Sequence, residues 1–204
     1  MRTERLELRL ATESELPALA RVAEAGVHPP EQMPFRVAWT DGAGKPGFVE
    51  SFVAFHTGLL HDWRPESWFL ELSVWAEGEP IGFQSIRAES FAESRVVETG
   101  SWLGRAFQGR GYGTEMRVAV LDLAFGGLGA RSAMSGYAED NAQSKAVSGK
   151  LGYEPAGEGW ESPRGEPIRH HKLALSAERW AGVAHAPTEI EGLDGCLSLF
   201  GARG

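Results

Sequence analysis

The alternation of apolar and polar positions predicts that the chain opens with a strand and a helix. From Glu4 to Leu10 leucines alternate with charged residues, which is the two-residue period of a half-buried strand. From Thr12 to Gly26 the apolar residues fall on one helical face, and the run Thr12-Glu13-Ser14-Glu15 fits a capping box at the start of that helix.

Further along, the pattern predicts an α+β domain. Val27 to Gly47 holds four prolines and is expected to form a long loop, a type of segment that often contacts substrate. Strands and helices then alternate, which favours a single domain with a central mixed β-sheet flanked by helices. The predicted elements are a helix from Phe48 to Asp62, a hairpin of Trp68 to Trp75 and Pro80 to Arg87, a strand from Val96 to Leu103, a helix from Gly111 to Phe125, a strand from Arg131 to Ala138, a helix from Asn141 to Leu151, and extended segments from Tyr153 to Trp160 and Glu166 to Leu175.

Composition narrows the possible partners. A chain of 204 residues suits one domain, and its formal charge of −8 disfavours a nucleic acid as the main partner. No apolar run approaches the length of a membrane span, so we expect no membrane partner and a cytoplasmic protein. Cys196 is the only cysteine, which excludes an intrachain disulfide or a thiolate metal cluster, and we expect no metal. The apolar segment from Ala184 to Gly204 is expected to pack on the domain or on a second copy, and a homodimer is possible.

A glycine-rich segment carries the strongest chemical signal. The run Gln108-Gly109-Arg110-Gly111-Tyr112-Gly113-Thr114 lies between a predicted strand and a predicted helix. Glycines allow the backbone to approach a ligand closely, and the first N–H groups of a helix have no internal partner, so such a turn can bind a diphosphate. The alternative is a tight turn with no ligand. The glycine spacing departs from the dinucleotide fingerprint, and a P-loop ending is absent.

This run resembles the Q/R-x-x-G-x-G/A loop of GNAT acyltransferases. About thirty residues later, the segment from Asp140 to Tyr153 resembles the family's N-x-x-S-x-x-x-x-x-K-x-G-F/Y pattern. The residues around the loop resemble the RimJ/RimL-type branch, which acetylates protein α-amino groups. Glu24 to His28, Met33 to Phe35 and Leu199 to Gly201 resemble an actinobacterial subgroup that includes a mycobacterial succinyltransferase.

The resemblance implies a GNAT fold, acyl-CoA as co-substrate and an amine acceptor. Acetyl-CoA and succinyl-CoA are both possible donors. An N-terminal part (1–64) would supply the acceptor-side loop, residues 65–175 would form the acyl-CoA-binding core, and residues 176–204 would pack on the domain or on a partner copy. The implied CoA-binding residues are Trp102, Leu103, Gln108, Gly109, Arg110, Gly111, Tyr112, Gly113, Thr114, Asn141 and Ser144.

The resemblance also implies direct attack of the amine on the thioester, with a backbone N–H near Leu103 for the oxyanion. Ser148 occupies the position where many relatives have a tyrosine that protonates the thiolate; its alternative role is that of a small helix residue. Glu98 is the first candidate for the general base and His28 the second, against a salt-bridged glutamate and a loop-stabilising histidine.

The acceptor side is less well defined. Phe35, Trp39 and Trp63 are candidates for lining an acceptor or acyl pocket, although aromatic residues often simply pack. A succinyl carboxylate would favour a nearby cation, for which Arg36 or Arg64 is the candidate. A CoA-binding sensor or interaction module without transferase activity is the competing function.

Overall fold

Seven strands form one mixed sheet in the computed structural model, which describes residues 1–202. The strand order is β1-β2-β3-β4-β5-β7-β6, and every neighbouring pair is antiparallel except β4 and β5. This confirms the predicted α+β domain with a mixed sheet. The strands are β1 (Leu6–Arg9), β2 (Ser67–Ala76), β3 (Glu79–Glu89), β4 (Val96–Leu103), β5 (Ser132–Ala138), β6 (Glu154–Glu161) and β7 (Ile168–Ser176).

Helices cover both faces of the sheet. One core joins α4 and the end of α5 to the sheet, and a second core joins α1 and α2 to Phe83 and Trp102 on the opposite face. The helices are α1 (Leu16–Glu24), α2 (Phe48–His61), α3 (Phe91–Ser94), α4 (Tyr112–Asp122, continued by a π-helical turn over Leu123–Gly127), α5 (Ala142–Lys150) and α6 (Ala177–Ala181), with 3₁₀ turns at Trp39–Gly42, Arg105–Phe107 and Asp194–Phe200.

Strands β4 and β5 separate after a short parallel contact. Only Val96 to Glu98 pair with β5, opposite Ser132 to Met134. Beyond that point β4 stays paired with β3 as far as Leu103, and β5 stays paired with β7 as far as Ala138. The sheet therefore opens into a wedge between two strands whose outer edges remain fixed.

The first helix begins later than its sequence suggests. The sequence predicts a helix that opens at Thr12, but α1 starts at Leu16 and the side chain of its N-cap residue makes no capping hydrogen bond. The carboxylate of Glu15 still accepts from the Thr12 N–H at 2.8 Å, so half of the capping box forms and closes a turn ahead of the helix. Pro17 in the first helical turn fits this later start, because proline is tolerated where no N–H acceptor exists.

The C-terminal segment packs on its own domain. Ile190, Leu193 and Leu197 lie against the larger core, and Phe200 is buried beside Trp68. The final part of the predicted segment, residues 203 and 204, falls outside the described residues. Within the described part, no helix is long and apolar enough to cross a bilayer.

Candidate functional site

The glycine loop leaves a row of backbone amides without protein acceptors. Gly109 and Gly111 adopt left-handed conformations with φ of 75° and 85°, and Gly111 caps α4 without any side-chain bond. In residues 1–202 no backbone or side-chain acceptor is found for the N–H groups from Gly109 to Gly113. Because these groups lie at the N-terminus of a helix, they form a site suited to an anion.

Two side chains hold this loop in place. The Gln108 amide donates to the Val27 carbonyl at 2.7 Å and to the Leu103 carbonyl at 2.8 Å. On the outer side, Arg5 donates to the Arg110 carbonyl at 3.0 Å. The Gln108 side chain therefore ties the loop to β4 and to the segment that follows α1.

The same bond shows which way Leu103 faces. The N–H and C=O of one strand residue point to the same side, and the Leu103 carbonyl points away from β3 to meet Gln108. Its N–H therefore faces the wedge between β4 and β5. A Cβ on Gly113 would lie 3.9 Å from Leu103 and 3.7 Å from Val147, so the loop, the end of β4 and the middle of α5 converge here.

Helix α5 provides the other wall of the wedge. Asn141 caps it by accepting from the Ser144 N–H at 3.0 Å, which is the structural role that its position allows. Ser148 is only 1% exposed, and no described residue is within hydrogen-bond reach of its hydroxyl. This burial supports the small-residue role of Ser148 rather than that of an acid open to the wedge.

The opposite face of the wedge is lined with aromatic rings. The ring centroid of Trp102 on β4 lies 5.5 Å from that of Trp39, and the ring centroid of Trp39 lies 5.3 Å from that of Phe35. Trp39 and Phe35 are both in the loop after α1. The Trp102 side chain thus packs with the loop after α1, on the face of the sheet covered by α1 and α2. Trp63 lies elsewhere: it stacks on Trp68 and donates to the Leu199 carbonyl at 2.8 Å.

His28 stabilises the acceptor-side loop. Its Nδ1 lies 2.8 Å from the Pro29 carbonyl, and its Nε2 lies 2.7 Å from the Thr40 hydroxyl. Both ring nitrogens are occupied by the loop itself, as in the alternative role considered for this residue.

Glu98 lies on the same face of the sheet as Trp102, and it is held by two arginines. One oxygen lies 3.0 Å from Arg36 and the other 2.6 Å from Arg87. Arg36 also approaches Glu161 of β6 at 3.6 Å, so its guanidinium joins carboxylates from β4 and β6. The alternative role of Glu98, that of a salt-bridged residue, is therefore the one seen.

His170 on β7 occupies the same face and was not singled out by the sequence. It is 8% exposed, and its Nδ1 is buried without a hydrogen-bond partner among residues 1–202. A Cβ on Gly136 would lie 2.6 Å from the His170 ring, so only glycine fits beneath it on the separated part of β5. Burial, together with the charge of Arg36, lowers the pKa of His170 below its usual value and keeps the ring neutral at neutral pH.

The loop after α1 is fastened across this face. Arg164, between β6 and β7, contacts Asp41 through two hydrogen bonds of 2.9 and 2.5 Å and donates to the Pro30 carbonyl at 2.8 Å. The loop is thereby closed over the acceptor side of the wedge.

A match to a family model identifies the protein family of this chain. The model described as an acetyltransferase (GNAT) domain matches residues 5–154, about three quarters of the chain. The chain belongs to the GNAT acetyltransferase family. The glycine loop and the wedge both lie inside the matched segment, so the GNAT assignment covers the residues that form the donor side of the site.

Solved structures agree with the GNAT fold. The chain is similar to RimL, a ribosomal L7/L12 α-N-protein acetyltransferase in complex with coenzyme A, at 19% identity and a TM-score of 0.68, over 87% of this chain and 96% of that one. It is also similar to Mycobacterium smegmatis RimJ in complex with CoA-disulfide, at 20% identity and a TM-score of 0.68, over 85% and 82%. A spermidine N-acetyltransferase SpeG chimera from Vibrio cholerae and hSSAT matches at 13% identity and a TM-score of 0.66, over 88% and 99%.

Two cavities lie away from the wedge of the GNAT domain. One of about 630 Å³ lies beside Asp122 and the C-terminal segment. The other, about 210 Å³, lies between α2 and β2, and its wall includes Glu71 beside His56 at 3.3 Å. Burial raises the pKa of Glu71 to about 8, so this carboxyl is mostly protonated at neutral pH. Neither cavity includes the glycine loop, and size alone does not locate the site.

Proposed function

We propose that this protein transfers an acyl group from acyl-CoA to a primary amine by direct attack within a ternary complex. The observation that carries the proposal is the row of unpartnered amides from Gly109 to Gly113, placed beside a wedge between β4 and β5. These amides suit a diphosphate, and the wedge provides a slot beside them for the pantetheine arm and thioester.

The Leu103 amide is the proposed oxyanion donor. It faces the wedge and belongs to a strand fixed on its outer edge by β3. A donor held in advance at the place where negative charge develops stabilises the tetrahedral intermediate without reorganisation.

His170 is the proposed proton acceptor for the attacking amine. It is neutral at neutral pH, its Nδ1 has no described protein partner, and it lies on the acceptor face beside the glycine of the open strand. Glu98 is less suited to this role because two guanidinium groups compete for its oxygens. Its proposed role is to hold Arg36 across the wedge.

The acyl group and the acceptor are finer points of the same proposal. Acetyl is the simplest donor group, and Arg36 gives a succinyl carboxylate a possible partner on the acceptor face. Arg64 is not placed there, since it donates to the backbone carbonyls of His61 and Trp63. The relatives are described as acting on a ribosomal protein or on spermidine, so the acceptors to test are protein N-termini, lysines and small amines.

A CoA-binding sensor without transferase activity is the second candidate. The observation that favours it is the burial of Ser148, which leaves α5 without an exposed acid at the position where many relatives have tyrosine.

The deciding experiment measures CoA release from acetyl-CoA and succinyl-CoA with a panel of amines, and identifies the acylated products by mass spectrometry. Acceptor-dependent release with a matching product supports the enzyme. Tight CoA binding with no product from any amine supports the sensor.

A matched pair of variants tests the donor preference. Arg36→Ala is expected to reduce the use of succinyl-CoA more than that of acetyl-CoA, whereas Arg64→Ala serves as the control that leaves both unchanged. Equal use of succinyl-CoA by the wild type and Arg36→Ala would remove the proposed contact.

A further inference from the structure

A buried arginine lies directly behind the wedge. Arg117 of α4 is 4% exposed and points at the sheet. Its guanidinium donates to the Ser135 hydroxyl of β5 at 2.9 Å, to the Ser101 hydroxyl of β4 at 3.0 Å, and more weakly to the Gln84 side chain of β3 at 3.4 Å.

This cation has no counterion in the described residues. Every hydrogen-bond partner of Arg117 within residues 1–202 is a neutral oxygen, and no carboxylate of these residues forms an ion pair with it. Burying an unpaired charge costs several kcal/mol, and the cost falls when an anion comes close. The buried guanidinium therefore favours a nearby anion, and the described residues do not provide one.

The location of the two serines specifies where that charge would be. Ser101 and Ser135 both follow the last paired residues of β4 and β5, Glu98 and Met134, so one guanidinium bridges the two diverging strands. The bridge lies on the face covered by α4, which is the face of the glycine loop.

The bonds also fix the direction of the hydroxyl protons. A guanidinium can only donate, so both serine oxygens accept from Arg117. Neither hydroxyl donates to another group in residues 1–202, which leaves both protons free for a ligand in the wedge. A hydroxyl that accepts from a cation is a stronger donor, because hydrogen bonds in a chain polarise one another.

We propose that Arg117 acts through Ser101 and Ser135 to stabilise the thiolate of coenzyme A as it leaves. The inference rests on the proposed acyl transfer. It gives the leaving thiolate hydrogen-bond donors, a role that the buried Ser148 hydroxyl cannot fill. The amine nitrogen forms a bond to the thioester carbon while the carbonyl electron pair moves to oxygen, and the amine proton passes to His170. When the carbonyl re-forms, the carbon–sulfur bond breaks, its electron pair stays on sulfur, and the two hydroxyls donate to that thiolate. The products are the amide and the CoA thiolate; the thiolate then takes a proton from solvent, and His170 releases the amine proton to solvent.

The test measures the thiol pKa of CoA bound to the protein, from the ultraviolet absorbance of the thiolate across a pH titration. We expect a pKa about one below that of free CoA with the wild type, because a nearby positive charge favours the charged form. Ser101→Ala with Ser135→Ala is expected to return the pKa toward its free value, whereas CoA affinity measured by calorimetry changes little.

Further variants separate the possible causes. Arg117→Met is expected to lose the shift as well. Arg117→Lys, which keeps a charge and is the more conservative change for the fold, is measured beside it and should retain part of the shift. A wild-type complex in which the thiol titrates as in free CoA would overturn the inference but leave the transferase proposal standing. A shift that is lost in Ser148→Ala but kept in the double serine variant would assign it to α5 and overturn the inference too. Failure of CoA to bind at all would overturn both proposals.

Discussion

A single carboxylate placed in the glycine loop should weaken acyl-CoA binding strongly. Gly109 is the suitable position because no atom lies within 4 Å of a Cβ built there, so a side chain fits without a clash. Its φ of 75° is left-handed, and aspartate and asparagine tolerate this region better than other side chains. Gly109→Asp and Gly109→Asn therefore share shape and backbone strain, and they differ by one charge.

The expected size follows from Coulomb's law. If the new carboxylate lies roughly 6 Å from the diphosphate, each pair of unit charges costs about 0.7 kcal/mol in bulk water and about 2.8 kcal/mol at an effective dielectric constant of about 20. In bulk water and before screening, two phosphate charges together cost about 1.4 kcal/mol, which weakens binding about tenfold, and the effect is larger at the lower effective dielectric constant. Gly109→Asn is expected to remain within a few-fold of the wild type.

Calorimetry with acetyl-CoA at two salt concentrations provides the assay, and thermal denaturation confirms that both variants are equally folded. The difference between the two variants should shrink at high salt, because added ions screen the repulsion. Equal affinities for the aspartate and asparagine variants at low salt would refute the placement of the diphosphate at this loop.

Three other predictions follow from the buried groups and the loop contacts. His170→Gln is expected to lower kcat/KM by about a hundredfold and to abolish the acid limb of the pH profile of kcat/KM. In the wild type this limb should lie below pH 6.5, because the pKa of His170 is lowered. A limb that is unchanged in the variant would exclude His170 as the base. The pKa of Glu71 is about 8 in the folded protein and about 4.3 in the unfolded chain. This difference stabilises the fold fully at a pH below the unfolded-state pKa, and the stabilisation is lost as the pH rises through 8. The wild-type Tm should then fall by about 3–5 °C per pH unit between about pH 5 and pH 8 and level off above pH 8, and Glu71→Gln should flatten this slope, so parallel curves in differential scanning calorimetry would contradict it. Arg164→Ala releases the loop after α1 and should raise the KM for the amine several-fold without changing the KM for acyl-CoA. The control is Arg169→Ala, which removes another arginine of the surface. Equal effects of the two variants would argue against the role of the loop contact.

Local signals in the sequence were enough to predict the fold and the position of the glycine loop between a strand and a helix. The two-residue period of β2 and β4 is present in consecutive residues, because one face of each strand is more deeply buried than the other over most of its length. Positions 109 and 111 have left-handed backbone conformations that favour glycine, so the loop can be recognised from its glycines in the sequence.

The acceptor side could not be predicted in the same way because it is assembled from distant segments. His170 lies over Gly136, and Arg36 meets Glu98 and Glu161, through the strand order of the completed sheet. Arg117 shows the same limit: an arginine within an amphipathic helix normally faces solvent, and only the separation of β4 from β5 turns this one into a buried contact between strands. Trp63 was placed with the acceptor aromatics by residue type alone, whereas it packs against the C-terminal segment.

Titration of CoA into isotopically labelled protein, followed by amide nitrogen–proton spectra, tests the central claim most directly. The account predicts saturable shifts of the Gly109, Gly111 and Gly113 amides, while those of Gly78 and Gly165, in turns outside the glycine loop, stay in place. Saturable CoA binding that leaves the loop glycines unchanged, or no binding at millimolar CoA, would contradict it.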